Sequence, residues 1–226
     1  MENLAGGMIN MEINITHYTP YETVMRAIRF SHASLGRLDS KENKLGPNDK
    51  KLLYLVIEQG HHSVLEHFVY TFEVEGVSRA FLQEFVRHRH ISLTVQSTRF
   101  ALKKLLKTNA LDDLLVVPCT DPEVPQRYFE LYYRNITEQN LKQLEYIKSH
   151  IQELPNDVLK YLLPEAFKTA FVATTNAREL GHLIELRHKE NVLCEFRRFA
   201  IELFEKLYEI HPELWEMLRG WYKWDF

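Results

Sequence analysis

The 226-residue chain is predicted to have an α+β fold. Segments that favour strands and segments that favour helices are both present, but they do not follow the regular alternation of βαβ units. Apolar residues make up 45% of the chain and charged residues 26%, which is typical of a globular protein with a hydrophobic core. Since the sequence contains no internal repeat and no obvious linker, we predict one domain over residues 1–226.

Three segments are predicted to be β-strands, because they are rich in β-branched and aromatic residues. They are residues 11–18, residues 68–75 and residues 168–175. Residues 114–118 form a shorter candidate strand. Gly76 is expected to end the second of the three, since glycine weakens a strand interior.

Most of the remaining chain has apolar residues at helical spacing. The predicted helices cover residues 20–35, 50–59, 77–89, 122–153, 158–163, 177–188, 190–210 and 212 onward. The buried stripe of the third helix would consist of Val77, Ala80, Phe81 and Phe85. Residues 90–99 have no helical period, so we expect a loop with some extended character.

Polar residues mark where several of these helices should begin. Asn48 or Asp49 is expected to cap the helix over residues 50–59, and Asn176 the helix over residues 177–188. Ser63 and Glu66 stand in the S-x-x-E relation of a capping box. A short helical turn with a reciprocal cap is therefore one interpretation of this pair, and a functional role is the other.

Residues 87–99 hold the greatest concentration of polar chemistry. They read RHRHISLTVQSTR, with three arginines, two histidines and two serines. The arginine guanidinium presents its donors in a planar fork that fits phosphate and carboxylate groups. Because the whole chain has a formal charge of −3, this local basicity indicates a discrete site for an anionic ligand, with phosphate as the expected anion.

Nucleic-acid binding and membrane association receive less support. A general nucleic-acid binder would be basic overall, and an RNA-binding module built on residues 87–99 would lack any RNP-like or KH-like pattern. No stretch approaches the roughly 20 apolar residues that a membrane span needs. Residues 1–10 lack the pattern of a signal peptide, so we expect a cytoplasmic protein. We expect it to bind neither nucleic acid nor a membrane.

A cluster of histidines leaves open a metal-dependent phosphohydrolase that acts on nucleotides. Its members are His61, His62, His67, His88 and His90. No H-E-x-x-H pattern and no closely interleaved carboxylate accompanies them, so no metal ligand is predicted and this function is kept as the alternative.

No residue is predicted to be a covalent nucleophile. Ser92 and Ser97 lie among arginines without a G-x-S-x-G elbow, which favours a role in phosphate binding. Cys119 is interpreted as a strand-end residue, and Cys119 and Cys194 match no zinc motif. The eight glycines form neither a dinucleotide-binding loop nor a P-loop, so any phosphate must be bound by side chains and helix ends.

The spacing within residues 87–99 resembles the signature of the flavin-dependent thymidylate synthases. That signature, RHR-x2-S-x4-S-x-R, is matched by Arg87, His88, Arg89, Ser92, Ser97 and Arg99. Further similarities follow in the family's order over about residues 12–205. They are Gly60-His61 through Glu66-His67, Val77-Ser78-Arg79, Leu163-Pro164, Asn176-Ala177-Arg178 and Leu186-Arg187.

The resemblance implies an enzyme that makes dTMP from dUMP. Methylenetetrahydrofolate would supply the carbon, NADPH the electrons, and FAD would mediate between them. All of these ligands are anionic, which accounts for an arginine-rich site in a weakly acidic chain. The resemblance also implies a central, mainly antiparallel sheet flanked by helices, and a homotetramer whose active sites lie at subunit interfaces.

The resemblance also assigns residues to ligands. FAD contacts are expected from Ser63, Arg87, His88, Arg89, Val95, Asn176, Ala177, Arg178 and His182, with His61 near the flavin. Contacts to dUMP are expected from Glu84, Phe85, Val86, Arg87, Val95, Gln96, Ser97, Thr98, Arg99, Lys160 and Arg187. Arg187 is the expected catalytic residue, since its permanent cation would face the uracil edge and favour loss or polarisation of the N3 proton.

Three positions depart from the family's pattern. Lys160 stands where relatives often have arginine, so it keeps the charge but loses the bidentate fork. Val95 stands where Glu or Gln is frequent, so only its backbone could bind a ligand. Glu84 stands where some relatives have Gln, and we expect it to orient Arg87.

Overall fold

The structure is a computed structural model that describes residues 11–116 and 126–226, and the side chains of these residues except 126–134. The strands in this part of the chain are β1 (Glu12–Tyr18), β2 (Val69–Ser78), β3 (Ser92–Val95) and β4 (Lys168–Asn176). The α-helices are α1 (Tyr21–Ser31), α2 (Pro47–Glu58), α3 (Arg79–Phe85), α4 (Thr98–Thr108), α5 (Gln126–Ser149), α6 (Asn156–Leu159), α7 (Ala177–Arg187), α8 (Cys194–Ile210) and α9 (Pro212–Tyr222).

The four strands form one antiparallel sheet in the order β1-β2-β4-β3. Its centre is the pair β2 and β4, in which Val69 lies opposite Asn176 and Ser78 lies opposite Lys168. Helices surround this sheet, so the predicted α+β class with a mainly antiparallel sheet is confirmed.

The expectation that Gly76 ends the second strand is wrong. Gly76 has a φ of +76°, which glycine adopts without steric cost. The register between β2 and β4 shifts between Val74 and Val77. This shift is a β-bulge, in which β2 has one more residue than β4, and it lets β2 continue to Ser78. The helix predicted from Val77 therefore begins only at Arg79, where the Ser78 hydroxyl accepts a hydrogen bond from the Phe81 N–H at 2.9 Å.

Of the three caps considered, the one predicted at Asn48 or Asp49 is wrong, and the capping-box interpretation of Ser63 and Glu66 is not the arrangement observed. Helix α2 begins at Pro47 after Gly46, and the buried Asp49 carboxylate accepts a hydrogen bond from Arg29 Nε at 2.7 Å instead of capping the helix. A 3₁₀ helix spans His62–His67 without a side-chain cap, and Glu66 pairs with Arg178 at 2.6 Å. The third prediction is confirmed, because Asn176 Oδ1 accepts a hydrogen bond from the Glu179 N–H at 3.1 Å.

Residues 87–99 contain more regular structure than the sequence predicted. Residues 92–95 form β3, which pairs with β4, and α4 begins at Thr98, where no helix was expected. In the candidate strand over residues 114–118, Leu115 forms an isolated bridge with Phe167. Residues 117–118, Cys119 and the first part of the long predicted helix, residues 122–125, lie outside the described residues.

The described side chains form two hydrophobic clusters. The larger one lies between the sheet and helices α1, α3, α7, α8 and α9, and its centre is aromatic: Phe72, Phe81, Phe85, Phe171, Phe196 and Phe199. The smaller one joins α4, α5 and α6 through Leu102, Leu106, Leu144, Ile147 and Leu159. The single-domain organisation stays a prediction. Within residues 11–116 and 126–226, every helix falls short of the length or hydropathy of a membrane span.

A buried polar network ties β2 to α9 inside the larger cluster. The Tyr70 hydroxyl shares a 2.7 Å hydrogen bond with His211 Nδ1 and accepts a 3.2 Å hydrogen bond from Trp215 Nε1. All three residues are fully buried. Burial lowers the pKa of His211 to about 4, so this imidazole is neutral at physiological pH.

Substitution of Tyr70 by Phe should destabilise the protein without changing its shape. The change leaves His211 Nδ1 and Trp215 Nε1 buried and unpaired, which costs about 2–4 kcal/mol for the two groups. Chemical denaturation followed by circular dichroism measures the free energy of unfolding. Tyr161→Phe is the matched control, since Tyr161 is 83% exposed. Equal stability of the two variants would contradict the prediction.

Candidate active site

The first residues of the signature and α7 line an open cavity of about 510 Å³. Helix α3 ends at Phe85, and the following turn places Arg87, His88 and Arg89 at one wall. Helix α7 forms the other wall, because Glu179, His182 and Arg187 have the spacing of one helical face. We call this space the Arg187 cavity; it is lined by Glu84, Arg87, His88, Arg89, His90, Glu179, His182, Leu186 and Arg187.

The guanidinium of Arg187 is held from three directions. Its Nε donates to His88 Nε2 at 3.2 Å, and its Nη1 donates to Glu84 Oε2 at 3.2 Å. Its Cζ lies 4.5 Å from the centre of the Phe196 ring, within the range of a cation–π interaction. The side chain is 17% exposed, so a permanent cation is fixed in a partly desolvated wall of the cavity.

His88 is a neutral side chain that links Arg187 to Glu179. Burial, followed by the charge of Arg187, lowers the pKa of His88 to about 4. Because Nε2 accepts the hydrogen bond from Arg187, the ring proton is on Nδ1, which lies 3.4 Å from Glu179 Oε1. The hydrogen bond from Arg187 therefore fixes the tautomer of the ring, and the contact of the neutral ring with Glu179 is not an ion pair.

A second cavity, of about 710 Å³, adjoins the first. We call it the Asn176 cavity; it is lined by His62, Glu66, His90, Asn176, Arg178, Glu179, His182 and Tyr222. His90, Glu179 and His182 line both cavities, so the two spaces are adjacent and share one wall. An elongated ligand could extend from one to the other.

These two cavities bring together about half of the predicted site residues. Glu84, Arg87, His88, Arg89 and Arg187 line the Arg187 cavity, Asn176 and Arg178 line the Asn176 cavity, and His182 lines both. Ser63 and His61 are exposed in or beside the His62–His67 segment, but the neighbouring His62 lines the cavity instead.

Three predicted contact residues have side chains in other surroundings. Phe85 is fully buried in the aromatic core, where its ring lies 4.7 Å from that of Phe171. Ala177 is also fully buried, and its N–H donates to Phe68 O at 2.8 Å. Val86 is 49% exposed at the end of α3 and lines neither cavity. Contacts from Phe85 and Ala177 would have to come from the backbone.

Four of the six remaining predicted dUMP residues form a separate group around the start of α4. We call Ser97, Thr98, Arg99 and Lys160 the Ser97 cluster. Arg99 Nε lies 3.1 Å from Asp157 Oδ1, which connects α4 to α6, and Lys160 follows α6 directly. Ser97 precedes α4 but makes no side-chain capping bond, so its hydroxyl is exposed and uncommitted.

Val95 and Gln96 connect this cluster to the sheet. Val95 is half-buried against the larger hydrophobic cluster at the end of β3. The Gln96 N–H donates to Ala170 O at 2.8 Å, while its side chain is exposed. None of the residues from Val95 to Arg99, nor Lys160, lines either cavity.

Sequence reasoning missed six residues that line the cavities: His62, Glu66, His90, Glu179, Leu186 and Tyr222. For Glu179 a signal was present, because it lies on the same helical face as Arg187. For Glu66 the capping-box pattern pointed to a different role. Tyr222 offered no signal, since nothing in the sequence relates α9 to residues so far from it in the chain.

A metal centre has no support in the described part of the chain. Among these residues, no three of the His, Cys, Asp and Glu side chains come close enough together to hold a metal ion. The histidine cluster noted in the sequence divides between the two cavities and the segment beside them. The alternative of a metal-dependent phosphohydrolase is not favoured by this geometry.

Comparison with known proteins identifies the family. The family model "Thymidylate synthase complementing protein" matches residues 14–213. The flavin-dependent thymidylate synthase of Campylobacter jejuni (strain RM1221) is 36% identical over 209 residues, which cover 91% of this chain and 96% of that protein. The chain belongs to the flavin-dependent thymidylate synthases.

Other members of the flavin-dependent thymidylate synthases agree with this result. The enzyme of Helicobacter pylori (strain J99) is 32% identical over 212 residues, covering 91% of this chain and 98% of that one. The crystal structure of thymidylate synthase X from Helicobacter pylori with FAD and dUMP matches with a TM-score of 0.73 and 32% identity, covering 92% of this chain and 98% of that chain. The similarity thus extends to the whole fold.

His88 should remain neutral well below the usual pKa of histidine. We expect its ring to titrate near pH 4 instead of near 6.5, because burial and Arg187 both penalise the imidazolium form. NMR titration of the histidine ring signals, with His88 assigned by the variant His88→Gln, measures this midpoint. The midpoint should rise in Arg187→Met, which removes the neighbouring charge. A wild-type midpoint near 6.5 would contradict the prediction.

Proposed function

We propose that the protein makes dTMP from dUMP by FAD-dependent reductive methylation, with Arg187 as the catalytic residue. The observation that carries this proposal is the Arg187 guanidinium, oriented by Glu84 and His88 in a cavity that shares three lining residues with a second, larger one. The oriented Arg187 cation suits the base of a nucleotide bound in the Arg187 cavity. The adjacent Asn176 cavity has room for an elongated anion such as a flavin dinucleotide.

The residues of the two cavities fit FAD. Arg87 and Arg89 supply cationic donors at one end, and Asn176 and Arg178 supply an amide and a cation at the other. Volumes of about 510 and 710 Å³ lie in the range of cofactor sites. When bound, FAD would supply the electron transfer that amino-acid side chains cannot perform. The protein would provide position, charge and exclusion of water.

Arg187 would act on the uracil ring by electrostatics. A guanidinium stays protonated at all physiological pH values, so it stabilises negative charge as it develops near N3 of the base. Its low exposure strengthens this effect, because less water screens the interaction. Neutral His88 accepts a hydrogen bond from Arg187 without neutralising its charge.

The Ser97 cluster would bind the phosphate of dUMP. The first N–H groups of α4 have no partner within the helix, and the positive end of its dipole favours an anion. The uncommitted Ser97 hydroxyl and the charges of Arg99 and Lys160 add to this potential. Lys160 would contribute charge without the bidentate geometry of arginine.

We propose further that the active site is completed by a second copy of the chain in a homotetramer. The support is that the Ser97 cluster lines neither cavity, although the phosphate and the base of one nucleotide must be bound together. Methylenetetrahydrofolate would donate the carbon and NADPH the electrons. A cytoplasmic location is consistent with these co-substrates.

Formation of dTMP from dUMP tests the function directly. Purified protein is incubated with dUMP, methylenetetrahydrofolate, NADPH and FAD, and the nucleotides are separated by chromatography. Product that requires both FAD and the folate supports the proposal. Absence of dTMP from the complete mixture would refute it.

The Arg187→Ala variant should still bind flavin. Its kcat for dTMP formation should fall about 100- to 1,000-fold, which is the usual effect of removing a group that stabilises developing charge. Flavin absorbance and single-turnover rates are measured separately. Arg187→Lys should recover part of the activity, since it restores the cation without the fork. Arg26→Ala, an exposed arginine on α1, is the control for a general loss of charge. Normal turnover in Arg187→Ala would exclude the proposed role.

Replacement of Ser97 by Ala should raise KM for dUMP roughly 10- to 100-fold while kcat changes little, because one hydrogen bond to a charged phosphate is lost. Initial rates over a range of dUMP concentrations separate the two parameters. Ser149→Ala, an exposed serine at the end of α5, should leave both unchanged. Loss of all turnover with normal dUMP binding would instead make Ser97 a nucleophile.

A further inference from the structure

Tyr222, at the end of α9, forms part of the wall of the Asn176 cavity. No feature of the sequence assigns it a role, and it lies 35 residues after Arg187, the nearest predicted site residue on α7. Its neighbour Trp221 contacts the same cavity wall, since the Trp221 ring lies edge-on to His62 with a centroid distance of 4.9 Å. The end of α9 is therefore continuous with the lining of the proposed cofactor site.

The Tyr222 ring lies directly against α7 at Gly181. A Cβ atom on Gly181 would be 3.1 Å from Tyr222 Cε2 and 3.4 Å from its hydroxyl oxygen. The first distance is closer than ordinary van der Waals contact, so any larger residue at position 181 would displace the ring. The absence of a side chain at Gly181 lets the Tyr222 ring lie this close to α7.

The segment after α9 holds the ring in this position. Lys223 adopts a left-handed conformation with φ of +58°, which ends α9. Trp224 then stacks in parallel with Tyr222 at a centroid distance of 5.1 Å. The indole Nε1 of Trp224 donates a 2.9 Å hydrogen bond to Glu185 Oε2 on α7. Tyr222 is thus fixed between Gly181 and Trp224.

The hydroxyl of Tyr222 is left without a hydrogen-bond partner among the residues that the structure describes. Burial raises the pKa of Tyr222, and the nearby Glu185 carboxylate adds to the effect, so the hydroxyl keeps its proton and can donate. The charge of Arg178, which lines the same cavity, acts in the opposite direction. The Tyr222 hydroxyl and the Arg178 guanidinium, which also pairs with Glu66, line the same cavity, and a proton donor and a cation in one wall are suited to an anionic oxygen.

We propose that Tyr222 is an FAD-binding residue whose hydroxyl, together with Arg178, hydrogen-bonds an anionic oxygen of the cofactor's diphosphate. This inference rests on the proposed function, which assigns the Asn176 cavity to FAD. The anionic oxygens of oxidised FAD belong to its diphosphate, so the donor pair selects that part of the molecule. Gly181 and Trp224 are positioning residues, because they act on FAD only through the Tyr222 ring.

The variant Tyr222→Phe tests the hydroxyl alone. Because the hydroxyl has no partner in the described protein, its removal should leave the thermal midpoint of the FAD-free protein unchanged. The Kd for FAD, measured by quenching of flavin fluorescence, should rise about tenfold, as expected for one hydrogen bond to a charged group. The visible spectrum of bound flavin and the Kd for dUMP should both match the wild type.

Two further variants test the positioning of the ring. Gly181→Ala should weaken FAD binding by displacing Tyr222, even though alanine favours the helix more than glycine does. Trp224→Phe removes the donor to Glu185 and should have a smaller effect in the same direction. Tyr146→Phe, an exposed tyrosine on α5, is the control and should bind FAD normally.

Unchanged FAD affinity in Tyr222→Phe would overturn the inference. So would a shifted flavin spectrum without weaker binding, because the hydroxyl would then contact the flavin ring. Neither result would affect the proposed function, which depends on flavin binding and dTMP formation by the wild-type protein. Conversely, the wild-type protein could make no dTMP while the Tyr222→Phe variant loses FAD affinity as predicted. That result would refute the proposed function and support the role of Tyr222 in FAD binding.

Discussion

The antiparallel pairing of β2 with β4 determines where the residues of the Arg187 cavity meet. Ser78, at the end of β2, lies opposite the start of β4, and Asn176, at the end of β4, lies opposite the start of β2. Helices α3 and α7 therefore start at opposite ends of the sheet, and their carboxyl ends converge, as the contacts of Arg187 with Glu84 and His88 demonstrate. Two helix carboxyl ends carry partial negative charge and favour a cation between them.

The sequence predicted well those features that depend on local pattern. The three main strands and most helices followed from periodicity, and Asn176 was recognised as a cap because its neighbours fixed its role. The signature from Arg87 to Arg99 predicted an anion site, and the first half of this signature does line a cavity. Fixed spacing was informative here because a single turn and one helix end position these side chains.

The sequence failed where a distant residue determined the outcome. Glu66 matched a capping box, but Arg178, more than 100 residues later, pairs with it instead. Gly76 was read as the end of a strand because one sequence does not reveal the register that makes it a bulge. The position of Tyr222 depends on Gly181, and Phe85 faces the core although its neighbour Glu84 faces the cavity. Each of these errors concerns tertiary contact, which a local pattern does not contain.

Glu84 has a further consequence for ligand binding. Its two carboxylate oxygens face two arginines, with Arg187 Nη1 at 3.2 Å and Arg87 Nη1 at 3.8 Å. A long flexible side chain normally loses conformational entropy when it binds a ligand. For Arg187 much of that entropy is already lost on folding, because Glu84, His88 and Phe196 restrict its rotamers. The Arg187 guanidinium thus needs little reorganisation before it can bind a ligand in the cavity.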